Sequence, residues 1–237
     1  MLVFVDTSCL MSLFRLSNAN SIDLEKLITG VRLGKYSFIN TQQVQDEFDR
    51  FRDQAIAGAL SEFSDQTIKT QFPPFVRSYP QVKDISRRIK ALKGELVELQ
   101  KTVVLEARDK LLSIDENVEN LFSSGLTLRT KRKYLNRAWH RFQSGNPPGK
   151  RSDNLGDGIN WELLLSNCKD DLAIISSDGD FFSDLHKNEV KSYLKAEWHR
   201  VNPDHELTLF RSISQFLSVH IPEVSVGDEY SADFLVG

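Results

Sequence analysis

The sequence predicts an α/β domain in which a mostly parallel β-sheet is flanked by helices, with a helical insertion in the middle of the chain. Two observations support this prediction. Four short apolar runs have strand character, and helical patterns lie between or after them, an alternation typical of a parallel sheet that is covered on both faces. The middle of the chain instead carries helical periodicity. The four runs are LVFV at 2–5, YSFI at 36–39, LAII at 172–175 and LTLF at 207–210.

Strand signals at both ends predict a single domain over residues 1–237, assembled from residues 1–60 and 150–237 and interrupted by a helical insertion at 61–149. Within the insertion, apolar residues from Ile85 to Val103 recur at alternating spacings of four and three, which predicts one long helix or a helical pair. A coiled-coil dimer is the alternative, but the stripe is short for one. The insertion is therefore expected to form an intramolecular arm, and it is a candidate surface for a protein partner or a homodimer.

The composition is that of a folded protein with a real core. The chain has 237 residues, 40% hydrophobic and 27% charged, which excludes collagen-like, low-complexity and wholly disordered proteins. Cys9 and Cys168 form no CxxC pair, so neither a disulfide framework nor a cysteine zinc site is expected. Asp6 interrupts the apolar N-terminus well before a membrane span of about 20 residues is reached. We therefore expect a cytoplasmic protein that does not associate with membranes.

Acidic residues follow three of the four strand runs. Ligands of open α/β sheets bind outside the carboxyl ends of the strands, so acids at these positions are informative. Asp6 follows the first run directly, and Asp178 and Asp180 follow the third. The second run leads into a helix that carries Glu47. A further acid, Asp157, lies at the start of the helical stretch GDGINWELLL, where the helix dipole favours negative charge.

Each acid also has a purely structural explanation. Asp6 and Asp157 can cap helices, and Asp178 can form an Asx turn with Gly179. A parallel sheet nevertheless brings all four acids to one edge, where carboxylates without a cation would repel one another. Oxygen ligands alone select Mg²⁺ or Mn²⁺ over zinc. Such a site suits phosphodiester hydrolysis, because bound metal ions activate water and stabilise the leaving oxygen.

Helical phase favours Glu47 over its acidic neighbours. At 100° per residue, Glu47 falls about 70° from the centre of the apolar seam of its helix, whereas Asp46 and Asp49 lie about 170° and 130° away. Glu47 is therefore expected to border the buried face, where a carboxylate needs a partner or a cation. The predicted seam consists of Val44, Phe48, Phe51 and Ala55.

The segment 129–151 contains eight basic and no acidic residues. Its Lys and Arg residues can neutralise phosphates, and Tyr134 and Trp139 can stack on unpaired bases, so the segment is a candidate nucleic-acid contact. The alternative is a solvated helix face with Trp139 turned into the core. Lys150 and Arg151 are the main candidates for substrate binding, because they lie nearest to Asp157 in sequence.

Four segments, VFVDTSCL, QQVQDEF, GDGINWELL and IISSDGDFF, occur in an order that resembles the PIN-domain nucleases, most closely a bacterial subgroup with a helical insertion. The resemblance covers both chain ends and implies a PIN-like fold with Mg²⁺- or Mn²⁺-dependent endoribonuclease activity. It implies that Asp6, Glu47, Asp157 and Asp178 are both catalytic residues and metal ligands. Asp180 is an auxiliary metal ligand in this interpretation.

Two further residues are candidates for substrate binding. Ser8 can offer its hydroxyl or its backbone N–H to a phosphate, and Asn160, one turn from Asp157, can hydrogen-bond a ligand carboxylate. The expected partner is nucleic acid, RNA rather than DNA. Two other functions stay open: a phosphatase that forms an aspartyl-phosphate on Asp6, and a non-catalytic RNA-binding module. The phosphatase usually has a second Asp two residues later, where Ser8 stands here.

Overall fold

Five short strands form one parallel sheet in a computed structural model that describes residues 1–15, 21–65, 71–149 and 155–220. In chain order they are β1 (Leu2–Val5), β2 (Ser37–Thr41), β3 (Leu126–Leu128), β4 (Leu172–Ile175) and β5 (Leu207–Phe210). Their order in the sheet is β3-β2-β1-β4-β5. The predicted fold class is confirmed, and the first, third and fourth predicted strands have the predicted bounds.

Nine α-helices occur within the described ranges, and most of them pack around the sheet. β1 and β4 are buried almost throughout, which is why their sequences are continuously apolar rather than alternating. Trp161, predicted to pack on the sheet, is fully buried. The helices are α1 (Thr7–Ser12), α2 (Ser21–Arg32), α3 (Gln42–Asp65), α4 (Pro80–Arg108), α5 (Ser113–Ser123), α6 (Arg132–Gln143), α7 (Gly156–Asn167), α8 (Ser192–Val201) and α9 (Ile213–His220).

The register of the central strands fixes the residues that follow them. Val5 of β1 lies opposite Ile175 of β4. The ladder continues one residue further, because the Asp6 amide donates to the Ile175 carbonyl at 2.9 Å. The Ser176 amide likewise donates to the carbonyl of Phe210 at 2.9 Å. The side chains of Asp6 and Ser176 therefore start from rigid positions at the carboxyl edge of the sheet.

Part of the predicted insertion belongs to the sheet and its core. Residues 126–128 form the edge strand β3, with Leu126 opposite Ile39 of β2. On the neighbouring helices, Arg52 of α3 donates to both carboxylate oxygens of Asp115 of α5, at 2.6 and 2.5 Å, in a buried ion pair. The segment 61–149 therefore contributes residues to both the sheet and the core.

The long helix predicted in the middle of the chain is α4, which has 29 residues. Its apolar stripe is substantially exposed: Leu92 is 42% and Leu99 is 51% accessible. α4 thus forms an arm on which several apolar positions are not covered by the described part of the chain. Neither α4 nor any other helix of the described ranges combines the length and the apolarity needed to cross a bilayer.

Candidate active site

Asp6 is held at the end of β1 by three hydrogen bonds to one carboxylate oxygen. Its Oδ2 accepts from the Ser8 hydroxyl at 2.6 Å, the Ser176 hydroxyl at 2.9 Å and the Ser8 amide at 3.4 Å. The last of these caps α1, so the structural role predicted for Asp6 is real. No described residue donates a hydrogen bond to Oδ1, which leaves that oxygen available to a cation. Burial is the largest cause that raises the pKa of Asp6, despite the serine hydrogen bonds that lower it.

Glu47 lies one turn inside α3 and is 5% exposed. The hydroxyl of Thr7 donates to its Oε2 at 2.7 Å, and the amide of Gln43 donates to its Oε1 at 2.7 Å. Asp46 and Asp49 are exposed. The prediction from helical phase, that Glu47 and not its neighbours borders the buried face, is confirmed.

The remaining acids form a cluster. One carboxylate oxygen from each residue lies within 4.8 Å of the other two such oxygens, in Asp157, Asp178 and Asp180. Asp157 is in the first turn of α7. Asp178 forms the predicted turn, because its Oδ1 accepts from the Asp180 amide at 3.0 Å. Its own amide donates to the Ser176 hydroxyl at 3.1 Å. The turn therefore orients Asp178 and connects it through Ser176 to Asp6.

Crowding of negative charge shows most clearly at Asp157. Burial and then the charges of Asp6, Asp178, Glu47 and Asp180 raise its pKa from 3.8 to about 8. In the metal-free protein these causes favour the protonated form of Asp157. A cation that takes the place of this proton relieves the repulsion.

One cleft of about 430 Å³ joins these groups. Asp6, Glu47, Asp157 and Asp178 all line it, so the structure brings together carboxylates from four separate stretches of the chain. The donor set is made of oxygen atoms only, which fits Mg²⁺ or Mn²⁺ and gives zinc no nitrogen or sulfur ligand. The residues present therefore suit the divalent ion that the sequence predicts.

The other substrate-binding candidates lie in different situations. Ser8 lines the cleft, but its hydroxyl donates to Asp6 and accepts from the Ser177 amide at 3.1 Å. Asn160 is fully buried, and its Oδ1 accepts from the Thr41 hydroxyl at 2.6 Å. This side chain connects α7 to the end of β2, and the role of Asn160 toward substrate stays a prediction. Lys150 and Arg151 lie outside the residues that the structure describes.

The basic segment forms an exposed surface on one face of α6. Lys131, Arg132, Lys133 and Arg137 are exposed, and Trp139 is 47% accessible and stacks on Phe142 at 5.7 Å between ring centroids. The alternative with Trp139 in the core is therefore wrong. Arg141 differs from the others, because it is buried in ion pairs with Glu162 at 2.8 Å and Glu197 at 2.9 Å. This arginine stabilises the contact of α6, α7 and α8 and is not available to a phosphate.

Sequence reasoning missed the residues that support the acids. Glu47 accepts hydrogen bonds from Thr7 and Gln43, and Asp6 accepts one from Ser176. Ser176 directly follows β4, and Thr7 comes two residues after the end of β1. A hydroxyl next to an acid at a strand end is the signal that points to such residues. Arg15 and Phe51, which also line the cleft, have no comparable signal in the sequence.

A second group of possible ligands, Asp170, Asp171 and His205, lies before β4 and β5, at the opposite edge of the sheet. Asp170 accepts from the N-terminal ammonium at 3.0 Å, and Asp171 accepts from the Glu206 amide at 2.9 Å. These carboxylates hold the start of the sheet together. They are not connected to the cleft.

Comparison with known proteins agrees with this geometry. A family model described as PIN domain matches residues 3–181, from β1 to the turn after Asp178. The match includes all four acids of the cleft. No curated protein and no solved structure matches the chain. The family model covers most of the chain, so the chain belongs to the PIN-domain family. The members of this family are metal-dependent nucleases.

Proposed function

We propose that this protein is a Mg²⁺- or Mn²⁺-dependent endoribonuclease that hydrolyses phosphodiester bonds in single-stranded or structured RNA. The observation that supports this is the convergence of four carboxylates on one cleft at the carboxyl edge of the sheet. Asp6, Glu47, Asp157 and Asp178 are the proposed catalytic residues and metal ligands, and Asp180 is the proposed auxiliary ligand.

In this proposal a bound metal supplies a water of lowered pKa and stabilises charge on the leaving oxygen. The chain prepares the ligands for that role. Ser8 and Ser176 hold Oδ2 of Asp6, while no described residue donates a hydrogen bond to Oδ1. Thr7 and Gln43 hold the two oxygens of Glu47 in the same way. Such supporting hydrogen bonds fix ligand orientation before substrate arrives.

The substrate side of the proposal rests on charge. The exposed Lys and Arg residues of α6 offer counter-charges for a phosphate backbone, and the exposed Trp139 offers a face for an unpaired base. α6 packs on α7, where Ala138 faces Gly158, the residue that follows Asp157. Lys150 and Arg151 remain proposed substrate contacts, as does Ser8. RNA is preferred over DNA in this proposal because of the family resemblance of the motifs.

Cellular context and partners belong to the same proposal. Cys9 and Cys168 are free and buried, and burial raises the pKa of each thiol to about 12, which suits a reducing cytoplasm. The exposed apolar stripe of α4 is the surface proposed for a protein partner or a homodimer. The molar mass in solution, compared between the native chain and Leu92→Lys with Leu99→Lys, distinguishes the two.

The nuclease proposal is tested by incubating RNA and DNA oligonucleotides with the purified protein, with and without Mg²⁺ or Mn²⁺. We expect RNA cleavage that needs the metal, stops with EDTA and is lost in Asp6→Asn and Asp157→Asn. The matched control is Asp46→Asn, an exposed carboxylate of α3 that does not line the cleft. It should cleave like the native protein.

The same experiment separates the other functions. Undiminished cleavage in Asp6→Asn contradicts the proposal, and faster cleavage of DNA than of RNA contradicts the preference for RNA. A phosphorylated Asp6, trapped with a small phosphate ester, would indicate the phosphatase. RNA binding without turnover in either metal would indicate the binding module.

A further inference from the structure

Phe51 is a large apolar residue that α3 leaves accessible beside the acids. The sequence places it in the apolar seam of the helix, but the buried seam runs through Val44, Phe48, Arg52 and Ile56. Phe51 is instead 44% exposed and lines the cleft. It follows Glu47 by four residues, so the two side chains are neighbours about 6 Å apart along the helix axis. The ring is therefore a hydrophobic surface next to the proposed metal ligands.

Beyond Phe51, α3 contributes further residues to the wall of the cleft. Ala55, Gly58 and Ala59 have small side chains, and Gln54 and Glu62 have longer polar ones. A Cβ at Gly58 would meet no other atom within 4 Å, so packing does not require glycine there. Glycine in a helix interior weakens the helix relative to alanine. Packing within the protein therefore does not explain this glycine. A ligand that passes close to the helix backbone would explain it.

Two basic side chains occur near this part of the cleft. Arg15, after the end of α1, lines the same cleft and forms no ion pair with a described residue. The guanidinium of Arg50 lies 5.7 Å from the centroid of Phe51, within cation–π range. An aromatic face with cations beside it is the combination that binds single-stranded nucleic acid through stacked bases and neutralised phosphates.

We propose that this arm of the cleft is a base-binding subsite, in which Phe51 stacks on the nucleobase adjacent to the scissile phosphate and Arg15 contacts a neighbouring phosphate. The inference rests on the proposed function, and it specifies the substrate class as a single strand. In a duplex both faces of each base are already stacked, so Phe51 has no face to contact. Gly58 gives the strand room to pass along α3.

The test measures binding instead of cleavage, so that it does not depend on turnover. A short single-stranded RNA carries 2-aminopurine, whose fluorescence falls when it stacks, and Ca²⁺ replaces Mg²⁺ in the buffer. Phe51→Ala should weaken binding about tenfold and remove the quenching, because stacking on an aromatic side chain contributes at this level. Phe51→Trp should keep both. Phe51→Leu keeps an apolar side chain without an aromatic face and should behave like Phe51→Ala.

Further variants test the other parts of the subsite. Arg15→Ala should lower the dependence of affinity on salt by about one charge, and Arg15→Lys should retain it. Gly58→Leu should lose affinity although leucine favours the helix. The control is Phe75→Ala, which removes a 77% exposed ring that does not line the cleft and should bind like the native protein.

The proposal is overturned if the native protein does not bind the single strand, if Phe51→Ala binds like the native protein, or if a duplex of the same sequence binds as tightly. Failure of the nuclease proposal appears separately, as absence of metal-dependent cleavage. Binding that depends on Phe51 without such cleavage would keep the subsite and refute the nuclease.

Discussion

The Ser176 hydroxyl donates a hydrogen bond of 2.9 Å to Oδ2 of Asp6, from the end of β4 to the end of the neighbouring strand β1. The same hydroxyl accepts from the Asp178 amide at 3.1 Å. One buried serine thus positions two of the acids in the cleft. Its position depends on the pairing of the two central strands and not on any loop.

Ser176→Ala should therefore reduce nuclease activity without removing a proposed metal ligand. Loss of a hydrogen bond that orients a ligand typically lowers metal affinity or activity about 10- to 100-fold. We expect this loss in kcat/KM and in Mn²⁺ affinity, measured by titration calorimetry. Ser123→Ala, on an exposed position of α5, is the control. Native Mn²⁺ affinity in Ser176→Ala would show that Asp6 is oriented without Ser176.

Metal-free stability should fall as pH rises. The pKa of Asp157 is about 8 in the folded chain, whereas its ordinary value is 3.8. Between these two pH values the folded chain therefore binds more protons than the unfolded chain. The free energy of unfolding therefore decreases with rising pH in this window, by at most about 1.4 kcal/mol per pH unit. Urea unfolding in EDTA at pH 5 and pH 8 measures this decrease.

Asp157→Asn provides the comparison for that measurement, because it keeps the shape of the side chain and removes its titration. Its stability should depend less steeply on pH than that of the native chain. Added Mn²⁺ should stabilise the native chain more at pH 8 than at pH 5, since fewer protons compete for the carboxylates. Equal pH dependence in the two proteins would mean that Asp157 does not titrate in this range.

The buried ion pair of Arg52 and Asp115 should make part of the predicted insertion indispensable for folding. Asp115→Asn leaves the Arg52 guanidinium with only the exposed Asp53, at 2.7 Å, as a counter-charge. Loss of one partner of a buried ion pair typically costs about 3–5 kcal/mol. Replacement of both residues, Arg52→Met with Asp115→Leu, should restore most of the stability, because no charge is then buried. Chemical denaturation of the two variants measures the difference. A native-like Asp115→Asn would contradict this account.

Gly58→Ala should stabilise the protein. The site is in the interior of α3, and the added methyl group meets open space, so the expected gain is about 0.5–1 kcal/mol. Thermal unfolding measures it. Gly94→Ala is a matched control, because that glycine also lies inside a helix with open space around it. The two substitutions should stabilise equally, and a loss at Gly58 alone would mean that its methyl group is not accommodated.

The sequence was sufficient for the fold class and for the convergence of the acids, because both follow from local patterns. A run such as LVFV identifies a buried strand by itself, and parallel strands then place Asp6 and Asp178 at the same edge. The short strand β3 was not predicted, since three residues at a sheet edge carry too little pattern.

The misplacement of Phe51 has a different cause. Hydrophobicity and helical phase favour burial of Phe51, whereas the charge of Arg52 favours a position on the surface. The structure reverses the two because Asp115, distant in sequence, supplies the counter-charge that Arg52 needs in the core. Long-range pairing of this kind cannot be deduced from local pattern. The hydrogen bond from Thr41 to the buried Asn160 likewise cannot be deduced from local pattern.

The adjacency of β1 and β4 has a consequence during translation. Asp6 and its neighbour across the sheet, Ser176, are 170 residues apart in the chain, so Ser176 is synthesised much later than Asp6. A nascent or prematurely terminated chain that ends before β4 therefore carries Asp6 and Glu47 without Asp178 and without a central sheet to hold them. The set of carboxylates that lines the cleft is therefore completed only after β4 has been synthesised.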